Sequence, residues 1–378
     1  MIVYFAERNK EKQALFDTLA KAAGGGQPFR LSLQAVLPFP ETPERVAACL
    51  ARAEHQPRGF RRWRETVRLH LQYNGARRWF ARHPDAVAVA WGGLDGSQQA
   101  FLDGARDAGA PRLAAEHAPF AGRITLDPEG VGAENSVPRE AAFFDHWSAA
   151  DPGRSRDGDS WRAMGEALTA RRGEAAQSAL PESPFLFCLL QAPDDRQASL
   201  FSGWCGGTGG FLGALTEAVG HLPRGWHLRV KGDPEGREPP GPALEKLLAT
   251  GRVARDNTTD SSAQMAASRG LVTLNSDKAL QAFFFDKPVV TLGEAFFARP
   301  GLVTPAPSQA SLNTAFADPE ALHFDVFARA RFMNWLDQVY YPCYDPANPD
   351  PTELAPWLAL ARLGHGRQDW PSAHHPIP

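Results

Sequence analysis

The chain of 378 residues carries 40 basic and 43 acidic side chains, a formal charge of -3, with 43% hydrophobic and 22% charged residues. These proportions exclude a disordered, collagen-like or coiled-coil chain, and the near-neutral balance excludes a protein that works by coating nucleic acid. At roughly 150 residues per domain the length predicts two or three domains.

The opening MIVYFAERNKEK turns charged after five apolar positions, and no later run approaches the ~18 apolar residues of a membrane span, so the expected location is cytoplasmic. A strand is predicted over 2–6, then an amphipathic helix over 10–23 that stops at Gly24-Gly25-Gly26. Residues 31–72 read as helical, with Pro38 and Pro40 breaking the front. The fully apolar run 86–91 suits a strand buried on both faces. A helix over 98–108 and strands over 112–115 and 124–126 complete a βαβ pattern of parallel sheet. Residues 151–184 are polar, with a helical stretch around 161–170, and read as an inter-domain linker. A second series follows, with strands over 185–190, 227–230, 270–274 and 288–292 and helices over 211–219, 243–249, 262–267 and 278–285. The last helix, 321–340, is expected to cross back over the first domain, with a mobile tail after Leu363. The predicted fold is α/β, two Rossmann-like domains facing a central cleft, with an N-terminal domain and linker over 1–180, a second domain over 181–330 and the crossing helix and tail over 331–378.

Chemistry is expected at the carboxyl ends of the strands. Gln191-Ala192-Pro193-Asp194-Asp195 puts two carboxylates directly after an apolar strand, as a ligand contact or as a turn cap. Lys231-Gly232-Asp233-Pro234 places a cation and a carboxylate after the next strand, to hold a nucleotide or to form a Gly-Asp-Pro turn. Asn275 or Ser276 can cap the helix that follows and expose its N–H groups to an anion, with Asp277 and Lys278 alongside. Glu116 follows a strand of the first half, as a general base facing the cleft or as a loop carboxylate. Asn135 and Ser136 stand in a polar loop that lines the cleft or caps a turn. The glycines between Gly203 and Gly210 lack phosphate-loop spacing. Cys49, Cys188, Cys205 and Cys343 form no CxxC pair, and His374-His375 have no carboxylate at ligand spacing, so no disulfide framework or metal site is expected.

The segments WGGLDGSQQAFLDGARDAG, EHAPF, LDPEGVGAENSVP, LLQAPDDRQ, VKGDP, VTLNSDKALQAFFFDKPVVTLG and FFARPGL, in this order, resemble the capsule-type β-Kdo glycosyltransferases. The resemblance spans roughly 86–138 and 185–303. It implies a GT-B architecture, a CMP-Kdo donor held mainly by the second domain and an acceptor glycan entering from the first, a design similar to that of bacterial sialyltransferases. Glu116 falls on the acidic motif, Asp195 on the acid four positions after the strand-end glutamine, and Asn275 and Ser276 on the nucleotide-phosphate site. Asp233, carried among the catalytic residues, stands where the family usually has His before Pro234; its carboxylate would repel the CMP phosphate unless protonated or paired with Lys231, and Lys278 is the replacement for the missing positive charge. The implied activity is a retaining transfer of Kdo to a glycan in capsule or lipopolysaccharide synthesis, by double displacement through a covalent Asp195 adduct, with Glu116 deprotonating the acceptor and no metal or other cofactor. Alternatives are another CMP-nonulosonic acid such as sialic acid, or a catalytically weak glycan-binding module. The implied partners are the CMP-sugar and a glycan or lipid-linked oligosaccharide, with peripheral association at the inner face of the inner membrane, a polysaccharide assembly complex and no nucleic acid. Phe283-Phe284-Phe285 and Phe296-Phe297 read as a buried helix and cleft wall, with membrane contact as the alternative.

Overall fold

The computed structural model describes the chain apart from residues 32, 54–55, 151–159, 167, 169–179, 233–240, 364–369 and 371–378. Contacts divide it into two units: Met1–Ala118 with Gly122–Pro138 and Leu336–Pro378, and Pro119–Ala121 with Arg139–Trp335. The boundary expected near residue 180 thus falls inside the second unit. Most of the expected linker, and His374 and His375, lie outside the described residues.

In the first unit, β1 (Ile2–Tyr4) leads into α1 (Lys10–Ala22), which Asn9 caps by accepting from the Glu11 and Lys12 N–H groups. An edge strand β2 (Gly26–Pro28) follows, then α2 (Thr42–Ala51) and the long α3 (Gly59–Ala81). β3 (Val87–Trp91), α4 (Gly96–Asp107) and β4 (Arg112–His117) form the expected right-order βαβ unit, and β5 (Ile124–Asp127) closes the sheet. α4 lies close on α3 because Gly104 lacks a side chain; a Cβ there would stand 2.7 Å from the Tyr73 carbonyl oxygen. The strand order is β2-β1-β3-β4-β5, parallel except for β5. The sequence pattern had implied a parallel third strand; β5 instead runs antiparallel to β4, with Glu116 opposite Thr125.

The second unit opens with α5 (Ala141–Ala150), followed by β6 (Phe185–Leu189), the short α6 (Arg196–Leu200) and α7 (Thr208–Ala218). Then come β7 (His227–Lys231), α8 (Gly241–Leu248), β8 (Val253–Arg255), α9 (Ser261–Ala267) and β9 (Gly270–Thr273). The helix expected over 278–285 is present as a 3-10 helix, Asp277–Phe285. β10 (Val289–Thr291), β11 (Thr304–Pro305), α10 (Gln309–Ala317) and α11 (Val326–Trp335) complete the unit. All six strands are parallel in the order β8-β7-β6-β9-β10-β11. Counted along the chain this is 3-2-1-4-5-6, the Rossmann order, with its topological switch between β6 and β9. Leu186, Cys188, Leu228, Val230, Val272 and Val290 are completely buried in one core, each such burial worth roughly 1.5–3 kcal/mol for the larger side chains.

The helix expected over 321–340 is shorter: α11 ends at Trp335, and a π-helical turn, Leu336–Tyr340, returns the chain to the first unit. There α12 (Pro351–Arg362) packs Leu354, Trp357 and Leu358 into the core that α1 shares with β3 and β4. Phe283 and Phe297 are fully buried and Phe284 and Phe296 nearly so, which makes them core side chains and corrects the membrane-contact alternative for these segments.

Candidate functional site

In an open parallel sheet, ligands bind outside the carboxyl ends of the strands where the strand order reverses. In the second unit that place is the mouth of β6 and β9, and three predicted residues meet there. Gln191, just past β6, donates from Nε2 to Asp195 Oδ2 at 3.1 Å and to Asn275 Oδ1 at 3.0 Å, although Asn275 is 84 positions away along the chain. Asn275 is held in turn by donating to the Gln197 and Phe201 carbonyl oxygens at 2.7 and 3.0 Å. Both of its amide hydrogens are therefore engaged with the chain, which fixes the loop after β9 onto the loop after β6.

Asp195 is the N-cap of α6: Oδ1 accepts from the Gln197 and Ala198 N–H groups at 2.8 and 3.3 Å. The turn-cap reading of this carboxylate is what the backbone shows, and the cap fixes Oδ2 toward Gln191. Asp194 is exposed, so the two adjacent acids are physically distinct. Asp277, at the start of the 3-10 helix, belongs to the same group and was not singled out as a site residue from sequence. Burial, reinforced by the nearby Asp195 charge, pushes its carboxyl up to about 6. An acid two residues after the strand-end Asn was the only sequence signal for it. Ser276 occupies the N-cap position of that helix without capping it, contrary to the expected role for Asn275 or Ser276, and Lys278 is exposed. The mouth thus presents two carboxylates, one hydroxyl and one ammonium on adjacent strand ends.

Other predicted residues are placed differently. Lys231, the last residue of β7, is buried, and its Nζ donates to the carbonyl oxygens of Asn257 and Thr259. That loop is itself wound around Asp256, which accepts from Thr258, Thr259 and Arg229. Burial alone would raise the Asp256 pKa, but the hydrogen bonds from Thr259 and Thr258 outweigh it and hold the carboxyl well below the usual range. Lys231 is thereby a fastening of the loop rather than an outward cation. Asp233 lies outside the described residues. Gly206 and Gly207 adopt positive φ, and Gly210 sits so close to the Cys205 carbonyl that no side chain fits, so these glycines serve the entry into α7.

In the first unit Glu116 is within β4 near its carboxyl end, half-buried, not in a loop after the strand. Strand alternation turns it to the face opposite Ala115, which packs with α1 and α12. Trp91 and His117, at the ends of β3 and β4, lie ring to ring at 4.6 Å, with Lys12 over the Trp91 ring. Asn135 and Ser136 are buried and correct the expectation of a ligand-lining loop. Ser136 donates from N and Oγ to Asp127 Oδ2 at 2.8 Å each, and the Trp370 indole donates to Ser136 Oγ. Fully buried Asp127 also accepts from the Glu129 and Gly130 N–H groups and the Tyr340 hydroxyl, so this loop is a hydrogen-bonded anchor for the returning C-terminal segment.

No described helix is long and apolar enough to cross a membrane. The chain is similar to Thermosulfurimonas dismutans KpsC, beta Kdo 2,7 transferase, with a TM-score of 0.52 at 12% identity over 95% of this chain and 98% of that one. That likeness shows the fold, two Rossmann-like units of the GT-B class. Protein FixF of Sinorhizobium fredii (strain NBRC 101917 / NGR234) is 27% identical over 275 residues, 71% of this chain, and the matched part spans 63% of that relative's length. Residues 144–341 match the family of capsule polysaccharide biosynthesis proteins, a stretch that contains the whole second sheet and the strand mouth with Gln191, Asp195 and Asn275. The chain belongs to the capsule polysaccharide biosynthesis protein family.

Proposed function

We propose that the chain is a retaining glycosyltransferase that moves Kdo from CMP-Kdo to a glycan acceptor in capsule or lipopolysaccharide synthesis. The observation that carries this reading is the constellation at the switch point of the second sheet, where Gln191 joins Asp195 to Asn275 beside Asp277. Family membership and the GT-B fold support it. A CMP-sugar lying across the β6 and β9 ends would offer its single phosphate charge to Ser276 and Lys278, and that charge is small enough for protein donors to meet. Asp195 Oδ2, oriented by the cap and by Gln191, forms the bond to the anomeric carbon as the bond to the phosphate oxygen breaks and CMP departs with its electron pair. Glu116 then takes the proton of the acceptor hydroxyl, the acceptor oxygen attacks the same carbon, and the Asp195 carboxylate is released.

Isothermal titration with CMP, CDP and UDP, each with and without EDTA, tests the donor class. CMP-selective binding that EDTA leaves unchanged is expected. A preference for UDP or CDP, or no binding of any of them, overturns the CMP-sugar reading.

A further inference from the structure

The first turns of α3 break the rules for a helix start. Residues 58–68 read RGFRRWRETVR, five arginines against a single acid, Glu65, which is paired with Arg68 inside the helix. The first turn holds no acidic residue, and the N-cap Arg58 makes no side-chain cap bond. Cations at a helix N-terminus oppose its dipole, so the local sequence works against the element it opens. Residues 58–64 are exposed without exception, and among them Phe60 is 74% and Trp63 59% exposed. Their rings stack on each other at 5.4 Å, and with exposed Val67 they occupy positions i, i+3 and i+7 of one helix face.

The apolar surface continues past α3. His70, the next residue of this face, bonds the Val36 carbonyl oxygen, and Arg78 bonds that of Leu37. Those bonds fasten the segment to α3 while the Val36 and Leu37 side chains stay 61% and 69% exposed. Helical geometry sets Arg64, Arg68 and Arg61 in sequence along one border of the aromatic stripe. A solvent-exposed Phe-Trp pair edged by guanidinium groups is the composition of a helix that lies in the headgroup layer of a bilayer.

We infer that the N-terminal half of α3, with Val36 and Leu37, is a docking surface for an anionic lipid bilayer. The arginines meet lipid phosphates, and their aliphatic stems reach past the apolar stripe to do so. Phe60 and Trp63 enter the boundary between headgroups and acyl chains. The occupancy of this surface does not depend on which sugar the protein transfers.

Co-sedimentation of the whole chain tests the inference, using vesicles of phosphatidylcholine alone and of phosphatidylcholine with phosphatidylglycerol. Two double variants are compared with wild type: Arg61→Glu with Arg64→Glu, and Phe60→Ser with Trp63→Ser. All four side chains are exposed, so thermal melting should be unchanged, and that measurement separates a binding defect from misfolding. Wild type should bind the anionic vesicles, more weakly as salt is raised. At roughly five-fold per cation near the surface, the arginine variant should bind at least about 25-fold more weakly, and the aromatic variant should also lose binding. Wild type remaining in the supernatant at low salt, or both variants binding as wild type does, overturns the inference. So does a dimer that the variants abolish while no vesicle binding occurs, which would make the patch a protein interface.

Discussion

Asp195 has one duty that is seen, as a helix cap, and one that is proposed, as nucleophile, and two substitutions part them. As N-cap it accepts from the Gln197 and Ala198 N–H groups, and as proposed nucleophile it presents Oδ2, which accepts from Gln191 at 3.1 Å. Asn caps as well as Asp, so Asp195→Asn keeps the cap and loses the charge that strengthens the Gln191 bond, about 1 kcal/mol. Asp195→Ala loses the cap as well, about 1 kcal/mol more. In a unit of this size each kcal/mol lowers the melting temperature by roughly 2–4 °C, so Ala should melt visibly below Asn and Asn slightly below wild type. Chemistry should fail to follow that order. Both variants lack the nucleophile, so both should lose at least ~10³-fold in turnover, about 4 kcal/mol of barrier. Intact mass after incubation with CMP-Kdo should show a Kdo adduct on wild type and on neither variant. An Asp195→Asn protein that keeps turnover or the adduct refutes the assignment and leaves Asp195 a helix cap.

Two further substitutions test the electrostatics. Asp277→Asn should change stability in a pH-dependent way. Because the folded pKa, about 6, lies above the ordinary carboxyl value, the native state binds the proton more tightly; wild type therefore loses stability relative to the variant as pH rises through about 6, whereas near pH 4 and below the two should coincide. Denaturant midpoints across that window, converging at low pH and separating at neutral pH, are expected; parallel curves would show that Asp277 is not buried against Asp195. Asp127→Asn places an amide where five donors converge, and at least two of them lose their acceptor. A loss of about 3 kcal/mol is expected by chemical denaturation, and a loss under about 1 kcal/mol would mean the network is not holding the C-terminal segment.

The sequence made some elements plain because burial on both faces leaves no polar alternative. β3 and β6 lie in the middle of their sheets, and their unbroken apolar runs could be read directly. β2, β8 and β11 were not legible: they are edge strands of two or three residues with little buried surface, too short for a period to show. The sense of β5 was hidden for another reason, since one apolar stretch pairs equally well in either direction and its partner decides. The same division runs through the site. Every polar residue at a strand end was a reasonable candidate, because strand ends are where such sheets bind ligands. What the sequence could not show was which candidates the protein needs for itself. Lys231 meets carbonyl oxygens supplied by a loop 26 to 28 positions later, and Ser136 meets a carboxylate nine positions earlier that burial had left in need of donors. Gln191, Asp195 and Asn275 also bond one another, yet they do so at the point where the strand order reverses, and there Ser276 and Lys278 stand beside them at the mouth. The test that separates the two kinds of strand-end residue is therefore local supply. Where nearby loops leave buried carbonyls or carboxylates to satisfy, as around Asp127 and Asn257, the polar side chain turns inward. At the mouth of β6 and β9, Asn275 meets the Gln197 and Phe201 carbonyl oxygens and the Asp195 cap meets the Gln197 and Ala198 N–H groups, and the proposed function assigns Ser276 and Lys278 beside them to the donor phosphate.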